Sequence, residues 1–401
     1  MARRLRLPLV LGLLLGPWLL IATACSIEYV PDAQGTPRPL LRLPATPVSA
    51  TTQSAPLAAA TAPAGPTAAA PASTPDLAPA TPAPLSTPAL RRLTEPGCCS
   101  GVWWSADGSQ VLYVDRPDEG PAAIWGVDAA TGVQEPYSTV VGVLQHDDRF
   151  AIVPILWSAQ SVTLHDRETG ESWGLFGVGS LPFVSPDGMR IAYDGRVAQE
   201  PLYANIRYAP IVVADLDGGN PRSLVTIYGG GIVGWFPDGS RLLILGSETF
   251  GEERTSLWTV NVTTGATAKV GDAAQLRDAS ISPDGAWVAF LALFEKDPAL
   301  NTTWATNVHS GEKRRLDFVG GYEWVKSEPA TLVYVPVRNA PDEGFAVYRL
   351  DVAAGERTRL VDPAQTPLFI ANGDWALAPD GKRFAFVSHE DYAIWLLDMA
   401  P

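Results

Sequence analysis

Five residues near the carboxyl-terminal half are of types that could do chemistry together: Arg277, Asp278, Tyr322, Glu323 and Asp374. Carboxyls whose surroundings differ can divide the roles of proton donor and acceptor, and a guanidinium or phenol beside them can steady a developing anion. Such a set would suit a lyase or glycosidase, provided the chain brings its members together. Other motifs are weaker. Gly170-Glu171-Ser172-Trp173-Gly174 reads as G-x-S-x-G, but a nucleophile elbow needs a strand-to-helix turn, and no helical pattern follows. Asp215-Leu216-Asp217-Gly218-Gly219-Asn220 opens like a calcium loop, yet Thr226 stands where the twelfth-position carboxylate is required. Cys98 and Cys99 are adjacent, which is no disulfide framework, and with four scattered histidines they have no metal-ligand spacing. No metal or cofactor is expected.

A second group combines aromatics with acids. Tyr203, Tyr208, Phe250 and Phe294 fall in polar segments at 195–209, 246–255 and 294–303, with Glu252, Glu253 and Glu295 among them. Aromatic anchors rimmed by charge suit a binding surface, and the acidity favours cationic partners through steering.

The elements that must position these residues come from a repeat. Trp104-Ser105-Ala106-Asp107-Gly108 is echoed by Val184-Ser185-Pro186-Asp187-Gly188, Trp235-Phe236-Pro237-Asp238-Gly239, Ile281-Ser282-Pro283-Asp284-Gly285 and Leu377-Ala378-Pro379-Asp380-Gly381. Degenerate copies lie at 144–148 and 326–330, so seven copies recur at intervals of 40 to 51 residues. An apolar run precedes each turn and an alternating strand such as Arg190-Ile191-Ala192-Tyr193 follows it. A third strand carries an aromatic, and a second turn of T-G, S-G or A-G type leads to a polar fourth strand. Four short strands per repeat at this period predict an all-β fold, a seven-bladed β-propeller, with six blades as the alternative.

The seventh copy stops after its third strand, at Asp398. Leu90-Arg91-Arg92-Leu93-Thr94 resembles the fourth strands Lys313-Arg314-Arg315-Leu316-Asp317 and Arg357-Thr358-Arg359-Leu360-Val361, so the strand 90–95 is expected to close the last blade. Residues 90–401 resemble the TolB-like and WD-repeat-like propellers, through the W/S-x-P-D-G turn followed by a strand of R-I-A-Y type. The resemblance implies a fold rather than an activity. TolB carries an additional amino-terminal α/β domain that this sequence replaces with a low-complexity stretch.

Arg3, Arg4 and Arg6 precede an apolar run from Leu7 to Ala24, the layout of an export signal over residues 1–24. Ala22-Thr23-Ala24-Cys25 resembles the lipobox of bacterial lipoproteins, which implies acylation of Cys25 and an extracytoplasmic anchor in the cell membrane. Residues 25–89 are rich in Ala, Pro and Thr and read as a disordered tether. The formal charge of −14 repels nucleic acid. The sequence therefore leads to the expectation of a non-catalytic, lipid-anchored, monomeric envelope module that is not an enzyme. It would bind protein, peptide or glycan, with a propeller enzyme as the alternative.

Overall fold

The computed structural model describes residues 89–99, 101–116, 120–156, 161–195, 208–338 and 343–399. The expected signal, Cys25, the tether as far as residue 88, and Tyr203 lie outside the described residues.

Among the described residues, strands make up six antiparallel sheets. The first comprises Trp103–Trp104, Gln110–Asp115, Ala123–Asp128 and Gln134–Ser138; the second, Val143–Gln145, Phe150–Leu156, Ser161–Asp166 and Ser172–Phe176. The third has seven strands, from Phe183–Val184 through Arg190–Asp194, Tyr208–Asp215, Arg222–Trp235, Arg241–Ser247 and Thr255–Asn261 to Thr267–Ala273. The fourth holds Gln275–Ile281, Trp287–Leu293, Thr303–Asn307 and Lys313–Arg315, and the fifth Gly320–Trp324, Thr331–Pro336, Val347–Asp351 and Arg357–Val361. In the sixth, Ile370–Leu377, Arg383–Ser388 and Ile394–Asp398 are joined by Ala89–Arg92, which pairs with Ile394–Asp398 in the register Leu90 to Leu397. The fold is thus an all-β propeller arrangement with five four-stranded sheets and one of seven strands, rather than seven separate sheets. The departure arises because Arg222–Trp235 is a single strand. Its first part pairs with Tyr208–Asp215 and its second with Arg241–Ser247, so two repeat copies share it.

Each sheet is sandwiched between neighbours, so its inner strands are apolar on both sides. Val111, Leu112 and Tyr113 are all buried, as are Val288, Ala289 and Phe290. Outer strands such as Gln134–Ser138 are largely exposed. The core accordingly lies between sheets. Trp104, Val111 and Val127 of the first sheet pack with Ala376, Ala385 and Leu396 of the sixth. Phe150, Phe236 and Phe384 are fully buried, and each contributes about 2–3 kcal/mol.

The repeated turn explains itself at this level. In the first copy the Ser105 hydroxyl donates to Asp107 Oδ1 at 2.7 Å, while the Gly108 amide donates to the Ser105 carbonyl at 2.9 Å. Ser185 and Ser282 repeat the pattern on Asp187 and Asp284. The proline of one turn then packs on the glycine of the next: Pro186 on Gly239, Pro237 on Gly285, and Pro379 on Gly108. These glycines have φ of +65° to +72°, so a side chain there would meet both strain and a neighbour. The last of these contacts runs from the end of the chain back to its beginning, and Arg383 repeats it by donating to the Gly108 carbonyl at 2.8 Å. On the outer strands, Arg91 and Arg314 do the same job. Each donates to carbonyls of the neighbouring sheet's turn, Ala129 for Arg91, and Val352 and Ala353 for Arg314.

Candidate functional site

The first strands of three successive sheets carry the three acids, and the Glu323 and Asp374 side chains each accept a hydrogen bond from the element that follows. Asp278 lies on Gln275–Ile281, where the pairing with Trp287–Leu293 shifts register between Arg277 and Ser280. It occupies the left-handed region at φ +51°, a conformation worth about 1–3 kcal/mol of strain for a non-glycine residue. The Tyr322 hydroxyl, from the next sheet, donates to the Asp278 carbonyl, and Tyr322 also meets Phe318 edge-on at 6.1 Å. Two residues along, Trp324 Nε1 donates to Ser280 Oγ at 2.9 Å. Because successive strand residues face opposite sides, Glu323 points the other way, and its Oε2 accepts from the Leu377 amide at 3.1 Å. Asp374 sits beside another bulge, after Asn372 and Gly373, both with positive φ, and accepts from the Gly101 amide in the connection that enters the first sheet.

Burial is the main influence on all three carboxyls. Glu323 is pushed up to about 7, with the Leu377 hydrogen bond and then Lys326 opposing the shift. Asp278 is raised although part of the residue is exposed, and Arg277 pulls it back; Asp374 is raised against the Gly101 hydrogen bond. The Tyr322 phenol is driven well above its ordinary range by burial, with Ser280 opposing. None of the three acids forms an ion pair among the described residues. This sets them apart from Asp166, which the Arg149 guanidinium at 2.6 Å and burial in opposition leave at about 2. The structure therefore brings Tyr322 to the Asp278 main chain at one junction, with Arg277 exposed beside Asp278, and places Glu323 and Asp374 at the two junctions that follow. A carboxyl near 7 can give or take a proton at neutral pH.

The aromatic and acidic segments come out unevenly. Phe250 and Phe294 are 59% and 75% exposed, and Phe250 meets Tyr228 edge-on at 5.9 Å. Glu252 and Glu253 are exposed. Tyr208 begins the strand Tyr208–Asp215, but its side chain, like all of Tyr203, lies outside what is described. Glu295 is no free rim charge: its side chain is 12% exposed and takes both Arg254 nitrogens, at 2.9 and 3.1 Å. Its Oε1 also accepts the Ala274 amide at 2.9 Å, so Glu295 fastens its loop to the neighbouring sheet. The long reach of Arg254, 41 residues away, left no local signal for this clamp.

Two motifs resolve into turn and strand structure. Ser172 faces His165 across a strand pair, Oγ to Nδ1 at 2.6 Å, on an exposed outer strand. Asp215 accepts from Asn220, and Asp217 from the Gly219 amide, as in an Asx-type turn. Among the described residues, no three His, Cys, Asp or Glu side chains group so as to hold a metal ion. Sequence reasoning set the adjacent cysteines aside as no disulfide framework and left their oxidation open. Cys98 and Cys99 form a disulfide, half-buried against Leu93 and Trp104, in the connection that leads to Gly101. The two bulges escaped notice, although Asn372-Gly373 inside a strand run is a recognisable signal.

With this geometry in view, the chain can be set beside known proteins. No family model matches it, and no curated protein matches it. Solved structures do. An oligogalacturonate lyase in complex with manganese is 18% identical with a TM-score of 0.57, over 78% of this chain and 93% of that one. An oligogalacturonate lyase from Vibrio parahaemolyticus is 15% identical with a TM-score of 0.54, over 79% and 98%. TolB from Acinetobacter baumannii is 14% identical with a TM-score of 0.39, over 69% and 76%. The chain has a β-propeller fold. At these identities the likeness speaks for fold alone. It nevertheless corrects one expectation. The chain was expected not to be an enzyme, whereas two propellers similar to it over more than three-quarters of its length are lyases, so the fold does not set it apart from enzymes. The manganese of the first lyase finds no ligand cluster among the described residues here.

Proposed function

We propose that this chain is an extracytoplasmic propeller, lipid-anchored through Cys25 and held off the membrane by the tether 25–89, that binds a polar ligand at the mouth of its channel. The folded unit is residues 90–401. It counts as seven blades, two of them sharing the strand Arg222–Trp235, a reading supported by turns that interlock copy by copy and return from Pro379 to Gly108.

The observation that carries the binding proposal is the arc of Asp278, Glu323 and Asp374. These are inner-strand carboxyls raised by burial and left without an ion-pair partner. Such groups hydrogen-bond hydroxyls in either protonation state and attract cations once ionised. A glycan rich in hydroxyls, or a basic peptide, fits them. A polyuronate of the kind the lyases' name implies does not, because a net charge of −14 and three acids at the mouth would repel it. Phe250 and Phe294, with Glu252 and Glu253, offer a second contact for a protein partner on the loops. Glu323 near 7 also favours a second reading, acid–base catalysis on the bound ligand.

Calorimetry with a neutral oligosaccharide, an oligogalacturonate and a lysine-rich peptide tests the proposal. Binding of the first or third is expected, weakened at least about tenfold in a triple variant Asp278→Asn, Glu323→Gln, Asp374→Asn. A chain that binds none of the three, or whose triple variant binds unchanged, has no site at the mouth. Mass spectrometry of the mixtures after incubation reads out the catalytic alternative.

A further inference from the structure

The connection between the closing strand Ala89–Arg92 and the first inner strand Trp103–Trp104 crosses the seam where the ring begins and ends. It is held at a few points. The Leu93 amide donates to the Ile394 carbonyl at 2.8 Å, and Thr94 Oγ1 accepts the Ile394 amide at 2.9 Å. The Gly97 amide donates to the Asp391 carbonyl at 2.8 Å, and Gly101 donates to Asp374. Between the last two stand Cys98 and Cys99, joined to each other, with Cys98 Sγ 3.0 Å from Thr94 Oγ1. Both are half-exposed, so a reductant can reach them, while their other sides pack on Leu93 and Trp104.

A bond between adjacent residues is a poor staple for the whole domain. The stabilisation of a disulfide grows with the loop it closes, and this one closes the shortest loop a chain allows. What it does constrain is the local backbone, which here carries the bonds on either side to Asp391 and Asp374. We infer that Cys98–Cys99 is a redox clasp on the closing seam, which when opened frees Gly97 from Asp391 and Gly101 from Asp374 and so weakens the mouth. Opening follows thiol–disulfide exchange with a dithiol protein. One donor thiolate attacks a cysteine sulfur, the S–S bond breaks, and the second donor thiol resolves the mixed disulfide. Two thiols remain on this chain and one new disulfide on the donor, with two electrons and two protons transferred.

The effect on ligand rests on the mouth reading, whereas the clasp itself has its own readout. Amide hydrogen exchange of the full chain is measured with and without a phosphine reductant, and in the double variant Cys98→Ser, Cys99→Ser. Reduction is expected to speed exchange at Gly97 and Gly101 about tenfold, leaving Ile232 and Trp235 at the far seam unchanged. The double variant should exchange like the reduced chain and ignore the reductant. Unchanged exchange at Gly97 and Gly101 on reduction overturns the clasp, and so does an equal acceleration at both seams. If exchange quickens and ligand affinity does not fall, the clasp stands and the mouth reading falls. Should the double variant fail to fold, the reductant arm on the native chain still decides.

Discussion

Two seams of this ring solve the same problem in opposite ways. Where the third and fourth repeat copies meet, the outer strand of one and the inner strand of the next are a single run, Arg222–Trp235, bent at Gly229-Gly230-Gly231. Where the seventh meets the first, the outer strand is Ala89–Arg92, from the other end of the chain, tied in by pairing, by Arg91 and by the Cys98–Cys99 turn. One seam is covalent and sequential. The other is made of hydrogen bonds between residues some 300 apart in sequence, as in the Ile394 amide to Thr94. Continuity costs nothing in loop closure, while the distant seam must offset the entropy of joining the ends. Of the three acids in the proposed site, Asp374 lies at the second seam, where it accepts from the Gly101 amide.

Removing the closing strand should have the largest effect. Deleting residues 88–92 exposes the edge of Ile394–Asp398 and is expected to lower stability by roughly 3 kcal/mol or more. Deleting 30–80 should leave the urea midpoint in place. If both truncations unfold at the midpoint of the full chain, the two seams do not differ as described. Arg91→Ala and Arg314→Ala offer a finer version, since the two guanidiniums hold equivalent carbonyls. Each should cost about 1–2 kcal/mol, with Arg91 speeding unfolding more if its seam opens first.

The continuous seam has its own weak point. A Cβ on Gly230 would lie 1.7 Å from the Leu245 carbonyl oxygen, so Gly230→Ala should destabilise by about 1–3 kcal/mol. Gly231, with nothing near its Cβ position, should tolerate the same change. Equal losses at both positions would mean that backbone freedom, not close approach, explains the glycine run.

The junction of the fifth and sixth sheets should show the smallest effect, and one that depends on pH. The folded chain holds the Glu323 proton to about 7, above the ordinary glutamate value of about 4.3. Between these values the folded state binds more protons than the unfolded, so stability is greatest below about 4.3 and falls as pH rises through 7. For a half-buried group the loss is on the order of 1 kcal/mol. Glu323→Gln should flatten that slope in urea titrations between pH 4 and 8. An unchanged slope would assign the pH response to other groups.

The five Asp-Gly copies of the turn were legible because each is local. Asp, Gly and the residues beside them bond within five positions, and short-range chemistry of that kind leaves a period in the sequence. The outer strand at Arg91 was legible for a related reason, since it repeats the letters of Arg314 and faces the same carbonyl acceptors. Other features have no local mark. That Glu295 would be clamped by Arg254, that Glu323 would meet the Leu377 amide while Asp278 meets Tyr322, and that two copies would merge through Arg222–Trp235 were all decided when the sheets packed side by side. A residue's type states what it can bond. Which face of a strand it occupies, and how much water its neighbours exclude, set whether a carboxyl becomes a paired anchor like Glu295 or an unpaired acid like Glu323.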